Sequence, residues 1–119
     1  AGLTVEICAI EKLVHTGAIL PADLHLVSLT LPDETALYEP VAAGGLPGWE
    51  STPPGPASIE YGTDFLRSGR ALGLIVPSAI VPEASNLVVN PLHPRFADVL
   101  LVAERPFVFD RRLRPDPWR

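Results

Sequence analysis

The chain has 119 residues, 47% of them apolar and 19% charged, with a formal net charge of −5. That balance excludes a disordered chain and argues against a nucleic-acid binder. No apolar run approaches the ~18 residues of a membrane span, and length alone limits the chain to one domain.

Leu3, Ile7, Ile10 and Val14 recur at helical spacing and predict a first helix, with Lys12 on the opposite side. Glu6 and Glu11 sit at the two edges of this stripe, where a helix meets the rest of a fold. Gly17 and Pro21 stop the helix. Leu24 to Leu31 predicts a strand closed by the turn Pro32-Asp33. Residues 39–57 are punctuated by Gly44-Gly45, Pro47-Gly48 and Pro53-Pro54-Gly55-Pro56 and predict a long loop. Trp49 in its middle is either a core plug beneath the loop or a stacking surface for a ligand.

A short helix is expected from Ser58 to Arg70, with Ile59, Phe65 and Leu66 as its apolar side. Leu72 to Val76 reads as a buried strand, and Leu87-Val88-Val89 repeats that pattern. A helical turn is expected at Pro94 to Asp98. Two more strands, Val99 to Ala103 and Phe107 to Phe109, are separated by Glu104-Arg105-Pro106. The expected fold is mixed α/β: one or two helices around a small mixed sheet of five or six short strands.

Chemistry is sparse in these strings. There is no phosphate-binding glycine loop and no Gly-x-Ser-x-Gly elbow. His15, His25 and His93 lack metal-ligand spacing, and no metal is expected. His15 fits a helix C-terminus, where the dipole favours a cation, and His93 fits a rigid turn between prolines. Cys8 is the single cysteine, so no internal disulfide can form, and with no signal peptide the expected compartment is the cytoplasm. Arg111, Arg112, Arg114 and Arg119 crowd the C-terminus and read as a solvated basic tail. From Val76 to Asn86, hydroxyl, carboxylate and amide groups follow a buried strand. Strand ends of this kind often carry ligand sites, although Ser78 and Asn86 can equally satisfy turn backbone groups. The chain contains no methionine, so a processed, truncated or partly observed polypeptide is expected.

The ordered strings Ile10-Glu11-Lys12-Leu13-Val14-His15, Leu46-Pro47-Gly48-Trp49, Val76-Pro77-Ser78, Asn90-Pro91-Leu92-His93-Pro94 and Phe107 to Leu113 resemble the RES-domain family of bacterial toxins. The resemblance spans nearly all of residues 1–119 and implies a single RES-like domain with a fold similar to ADP-ribosyltransferases. It assigns the family glutamate to Glu11, ahead of Glu6, and the family serine to Ser78, as catalytic residues. The family arginine, with an active-site tyrosine, belongs to a segment before the first helix, which this chain is expected to lack. No arginine present is given that role. Trp49 and Asn90 are read first as a loop anchor and a turn amide.

The implied function is a toxin of a type II toxin–antitoxin system that degrades NAD+ by cleaving the nicotinamide–ribose bond, through phosphorolysis or hydrolysis. NAD+ is then a substrate, with no separate cofactor. A mono-ADP-ribosyltransferase modifying a cellular protein is the alternative, followed by a non-catalytic binding module. An Xre-like antitoxin is the implied partner, and any DNA contact is expected to come from it.

Overall fold

The computed structural model describes residues 1–114. In chain order the described residues form helix α1 (Val5–Val14), strands β1 (Leu24–Thr30) and β2 (Tyr38–Pro40), helix α2 (Pro56–Ser68), and strands β3 (Gly73–Pro77), β4 (Ser85–Val89) and β5 (Leu100–Phe107). The fold is mixed α/β. The strands divide between two small sheets where the sequence suggested one.

The first sheet runs β2-β3-β4. β2 lies parallel to β3 because α2 provides the crossover between them, and β3 and β4 form an antiparallel hairpin. β2 overlaps the start of the predicted loop. It is three residues long and contains Pro40, which an edge strand tolerates because one side of its backbone is unpaired. Backbone bonds from Leu72 N–H to the Leu37 carbonyl (2.8 Å) and from Val41 N–H to the Ile75 carbonyl (2.9 Å) extend the pairing past its ends. Pro56 starts α2 at the first helical position, where its missing N–H costs nothing. Gly69 ends the helix in the left-handed conformation, φ 61°. Phe65 of α2 is fully buried and packs with Ala71 and Leu74, with Val41, Tyr61 and Val76 around them. Asn90, also fully buried, acts as the expected turn amide. Its side chain donates to the Leu66 carbonyl (3.2 Å) and accepts from Leu92 N–H (2.9 Å), tying the end of β4 to α2.

α1 begins two residues later than the sequence stripe implied. Thr4 is extended and its Oγ1 accepts the Ile7 N–H (3.3 Å), so Leu3 lies outside the helix. Residues 1–3 instead run antiparallel along β4: Gly2 bridges Asn86, and Leu3 N–H donates to the Ser85 carbonyl (3.2 Å). This strip brings the backbone hard against the first turn of the helix. A Cβ at Gly2 would come within 2.6 Å of Ile7 Cγ2 and 2.7 Å of Cys8 Sγ. Only Ile7 of the predicted apolar stripe is buried, while Leu3 and Val14 are 56% and 54% exposed. A different face of α1, carrying Val5, Cys8, Ala9 and Lys12, looks across an open groove toward Leu24, Leu26 and Phe107. Lys12 therefore lines a groove and does not point away from the fold.

The second sheet is the two-stranded antiparallel ribbon β1–β5. The sequence predicts two strands broken by Glu104-Arg105-Pro106, but the structure shows one. Glu104 is absorbed as a bulge between the pairs Leu26–Arg105 and Val27–Ala103, and Pro106 is accommodated on a strand with a free edge. Val108 and Phe109 lie beyond the strand. Both faces of β5 are open to solvent, with Leu100 62% and Leu101 68% exposed. The radius of gyration is 16.1 Å, above the ~13.5 Å of a compact domain of this length. No helix among the described residues is long and apolar enough to cross a membrane.

Candidate active site

The hairpin of the first sheet and the helix α1 meet in a cluster of three polar side chains. β3 ends at Pro77, and Ser78 begins the turn that leads to β4. Ser78 is 1% exposed. Its N–H donates to the Ala84 carbonyl (2.9 Å), closing the turn. Its Oγ accepts the N–H groups of Ile80 and Val81, each at 3.1 Å, and donates its proton to Glu11 Oε1 at 2.7 Å. A hydroxyl has one donor and two acceptor sites, so all the capacity of Ser78 is used inside the protein. The turn-satisfying role and the contact with Glu11 coexist in one side chain. Ser78 has neither an exposed oxygen nor a free lone pair with which to attack a substrate, so it positions Glu11.

Asn86 completes the cluster. It stands opposite Val76 in the hairpin register, two residues short of Ser78, and its Nδ2 donates to Glu11 Oε1 at 2.8 Å. Sequence reading grouped Asn86 with Ser78 beyond a buried strand, as ligand-site or turn residues, and did not link it to Glu11. The missing signal was the hairpin register: once Pro77 pairs with Ser85, Asn86 is brought beside Ser78.

Glu11 is half-buried on α1, and the two donors hold the same oxygen, Oε1. Among the described residues nothing bonds Oε2. An open cavity of about 310 Å³ is bounded here by Glu11, Asn86, Cys8 and the Gly2 strip. The geometry is that of an oriented carboxylate, with one oxygen fixed by charge-assisted hydrogen bonds and the other available. Glu6, the competing carboxylate, is exposed in the first turn of α1 and makes no bond to this cluster. Cys8, one turn before Glu11, is a half-buried thiol on the same cavity.

The remaining candidates lie elsewhere. His15 caps the C-terminus of α1, its Nδ1 2.7 Å from the Glu11 carbonyl oxygen. His93 Nδ1 accepts the Arg95 N–H (3.0 Å) at the start of the 3₁₀ turn Pro94–Asp98. His25 is exposed on β1. Several arginines are engaged away from Glu11. Arg70 pairs with Glu39 (2.7 Å), Arg95 with Glu34 (3.0 Å) and Asp98 (2.6 Å), and Arg112 with Asp110 (2.8 Å). Arg114 bonds the Leu13 carbonyl at the end of α1 (2.9 Å). The basic tail is thus partly bound to the fold, and Arg119 lies outside the described residues. The Arg70 hydrogen bond, seconded by the Tyr61 hydroxyl, holds the Glu39 carboxyl below its ordinary pKa. Trp49 is half-buried as one wall of an apolar cavity against α2 and the β3–β4 hairpin. Among the described residues no group of three His, Cys, Asp or Glu could hold a metal ion.

Comparison with known proteins places this geometry in context. The model of the RES domain matches residues 1–110. A protein of Sphingobium sp. (strain YBL2) named Prs ADP-ribosylating toxin is 37% identical over 110 residues, covering 90% of this chain and 68% of the relative. Proteins named Toxin Res from Yersinia enterocolitica and Photorhabdus laumondii are 32% and 31% identical, covering 93% and 92% of this chain and 74% and 71% of their own. Nearly the whole chain agrees with the family model, and relatives named as toxins align over most of their length: the chain belongs to the RES-domain family.

Proposed function

We propose that this chain is an NAD+-consuming toxin that breaks the bond between nicotinamide and ribose, with Glu11 as the catalytic carboxylate. The observation that carries the reading is the state of Glu11, with Oε1 fixed by Ser78 and Asn86 and Oε2 free at a cavity. Departure of nicotinamide leaves oxocarbenium character on the ribose carbon. An anion already oriented toward that carbon stabilises the developing charge without reorganising, and it can also take a proton from the incoming nucleophile. Ser78 and Asn86 act through Glu11. Family membership supports NAD+ as the substrate. The name of the Sphingobium relative also supports a second reading, in which the ADP-ribose is transferred to a protein instead of to phosphate or water.

In this reading NAD+ is a substrate, no metal or resident cofactor takes part, and the protein works in the cytoplasm. Its fold is a small variant of the ADP-ribosyltransferase type. The partner is an Xre-like antitoxin that covers the cleft and supplies any DNA contact, consistent with the net charge of −5 on this chain.

The test is to mix the isolated protein with NAD+, with and without inorganic phosphate, and follow free nicotinamide by proton NMR. Release that depends on phosphate establishes phosphorolysis, and release without phosphate establishes hydrolysis. Labelled ADP-ribose appearing on protein establishes the second reading. None of these products overturns both.

A further inference from the structure

We infer that the apolar cavity walled by Trp49 receives the planar aromatic base of the substrate, with Trp49 and Gly62 setting its shape. The inference rests on the reading of Glu11 as the group that faces the reacting sugar carbon. The cavity has a volume of about 210 Å³, and an apolar cavity of about 150 Å³ already accepts benzene. There is room for one six-membered ring with a small substituent. Its walls are Leu46 and Trp49 from the loop, Tyr61 and Gly62 from α2, and Val76 and Val88 from the hairpin. Ser58 also lines it and supplies a hydroxyl for a ring amide.

Three observations favour this occupant. The first is continuity with Glu11. Val76 lines the cavity and stands opposite Asn86, so their side chains rise on one face of the sheet. Ser78, two residues beyond Val76, returns to that face. One surface therefore runs from Leu74 and Val88, through Val76 and Asn86, to the carboxylate that Asn86 and Ser78 hold. In an N-glycoside the reacting carbon is bonded directly to the base, so the base must sit beside the catalytic carboxylate. The adenine of NAD+ is two sugars and a diphosphate away.

The second is a fixed aromatic wall. The Tyr61 hydroxyl donates to Glu39 at 2.9 Å, and the Arg70 guanidinium lies 5.7 Å from the centre of its ring. With Trp49, this gives aromatic surface against which a planar ring can stack. The third is Gly62, which puts no side chain into the helix wall. A Cβ there would meet nothing within 4 Å, so the helix tolerates one and the space is free.

The experiment titrates nicotinamide, and separately adenosine, into ¹⁵N-labelled protein while following the indole N–H of Trp49, assigned through Trp49→Phe. A saturable shift with nicotinamide and little with adenosine is expected. Gly62→Leu should fill the cavity and weaken nicotinamide binding at least tenfold, with the melting temperature unchanged or higher, while Gly62→Ala should bind like the parent. An indole that ignores nicotinamide, or Gly62→Leu binding as the parent does, overturns the inference. Binding to Glu11→Gln separates this claim from the catalytic one. That variant should lose NAD+ cleavage and still shift Trp49. If the parent cleaves no NAD+ yet the indole responds, the catalytic reading fails and the cavity assignment stands.

Discussion

The two sheets are written in similar sequence and have opposite fates. Leu72 to Val76 and Val99 to Ala103 are both near-continuous apolar runs, the usual pattern of a buried strand. The first becomes β3 at the centre of a three-stranded sheet, with Leu72 fully buried and Leu74 3% exposed beneath α2. The second becomes most of β5, exposed along nearly its whole length in a two-stranded ribbon. An apolar run encodes the capacity to be buried, and a covering layer decides whether burial happens. α2 supplies that layer for β3 through Phe65. Ser78 and Asn86 sit on the covered sheet, and Glu11 reaches them from α1, which is held to β4 by the Gly2 strip.

Substitution should separate the two regions sharply. Phe65→Ala should cost about 3–5 kcal/mol of unfolding free energy, because it empties the centre of the core. Leu101→Ala, equally drastic in sequence, should stay within ~0.5 kcal/mol. Urea denaturation of both variants measures this directly, and equal losses would mean that the ribbon is covered in solution. Gly2→Val should cost about 1–3 kcal/mol by overpacking against Ile7 and Cys8. Because it pushes α1 away from β4, it should also lower NAD+ cleavage at least tenfold at saturating substrate.

Asn86→Ala removes one of the two donors to Glu11 and leaves the scaffold intact. A hydrogen bond to a charged group is worth ~1.5 kcal/mol, so kcat should fall about tenfold with KM little changed. The smallest effect lies at the β2 edge. The Glu39 carboxyl titrates lower in the folded chain than in the unfolded one, so its stabilisation is complete above the ordinary carboxylate value of 4.5 and fades as pH falls through the lower folded value. Glu39→Gln should melt lower than the parent at pH 7, and that gap should close in acid. A gap that stays constant as pH falls from 7 through the titration of the folded carboxyl would show that packing, and not charge, supplies the effect.

Much of this was legible beforehand because it depends on local signals. Helical spacing and Gly17 marked α1, the apolar side Ile59, Phe65 and Leu66 marked α2 to within two residues of its ends, and the strings around Glu11 and Ser78 carried the family resemblance. What the sequence hid was pairing. Nothing in Tyr38-Glu39-Pro40 announces a strand, since a parallel edge strand takes its stability from β3. The bulge at Glu104 made one strand look like two, and Asn86 looked like a turn residue until the register set it against Glu11. The exposure of Leu3 and Val14 was equally hidden, because an apolar stripe does not reveal which neighbour it will have.

The most direct test of the account is Glu11→Gln, measured by nicotinamide release from NAD+ alongside a thermal melt. The substitution preserves shape and the capacity to accept from Ser78 and Asn86, but removes the negative charge. The account expects a folded protein whose cleavage rate falls at least ~100-fold. A folded variant that releases nicotinamide at the parent's rate would contradict it and return Glu11 to the role of a surface carboxylate.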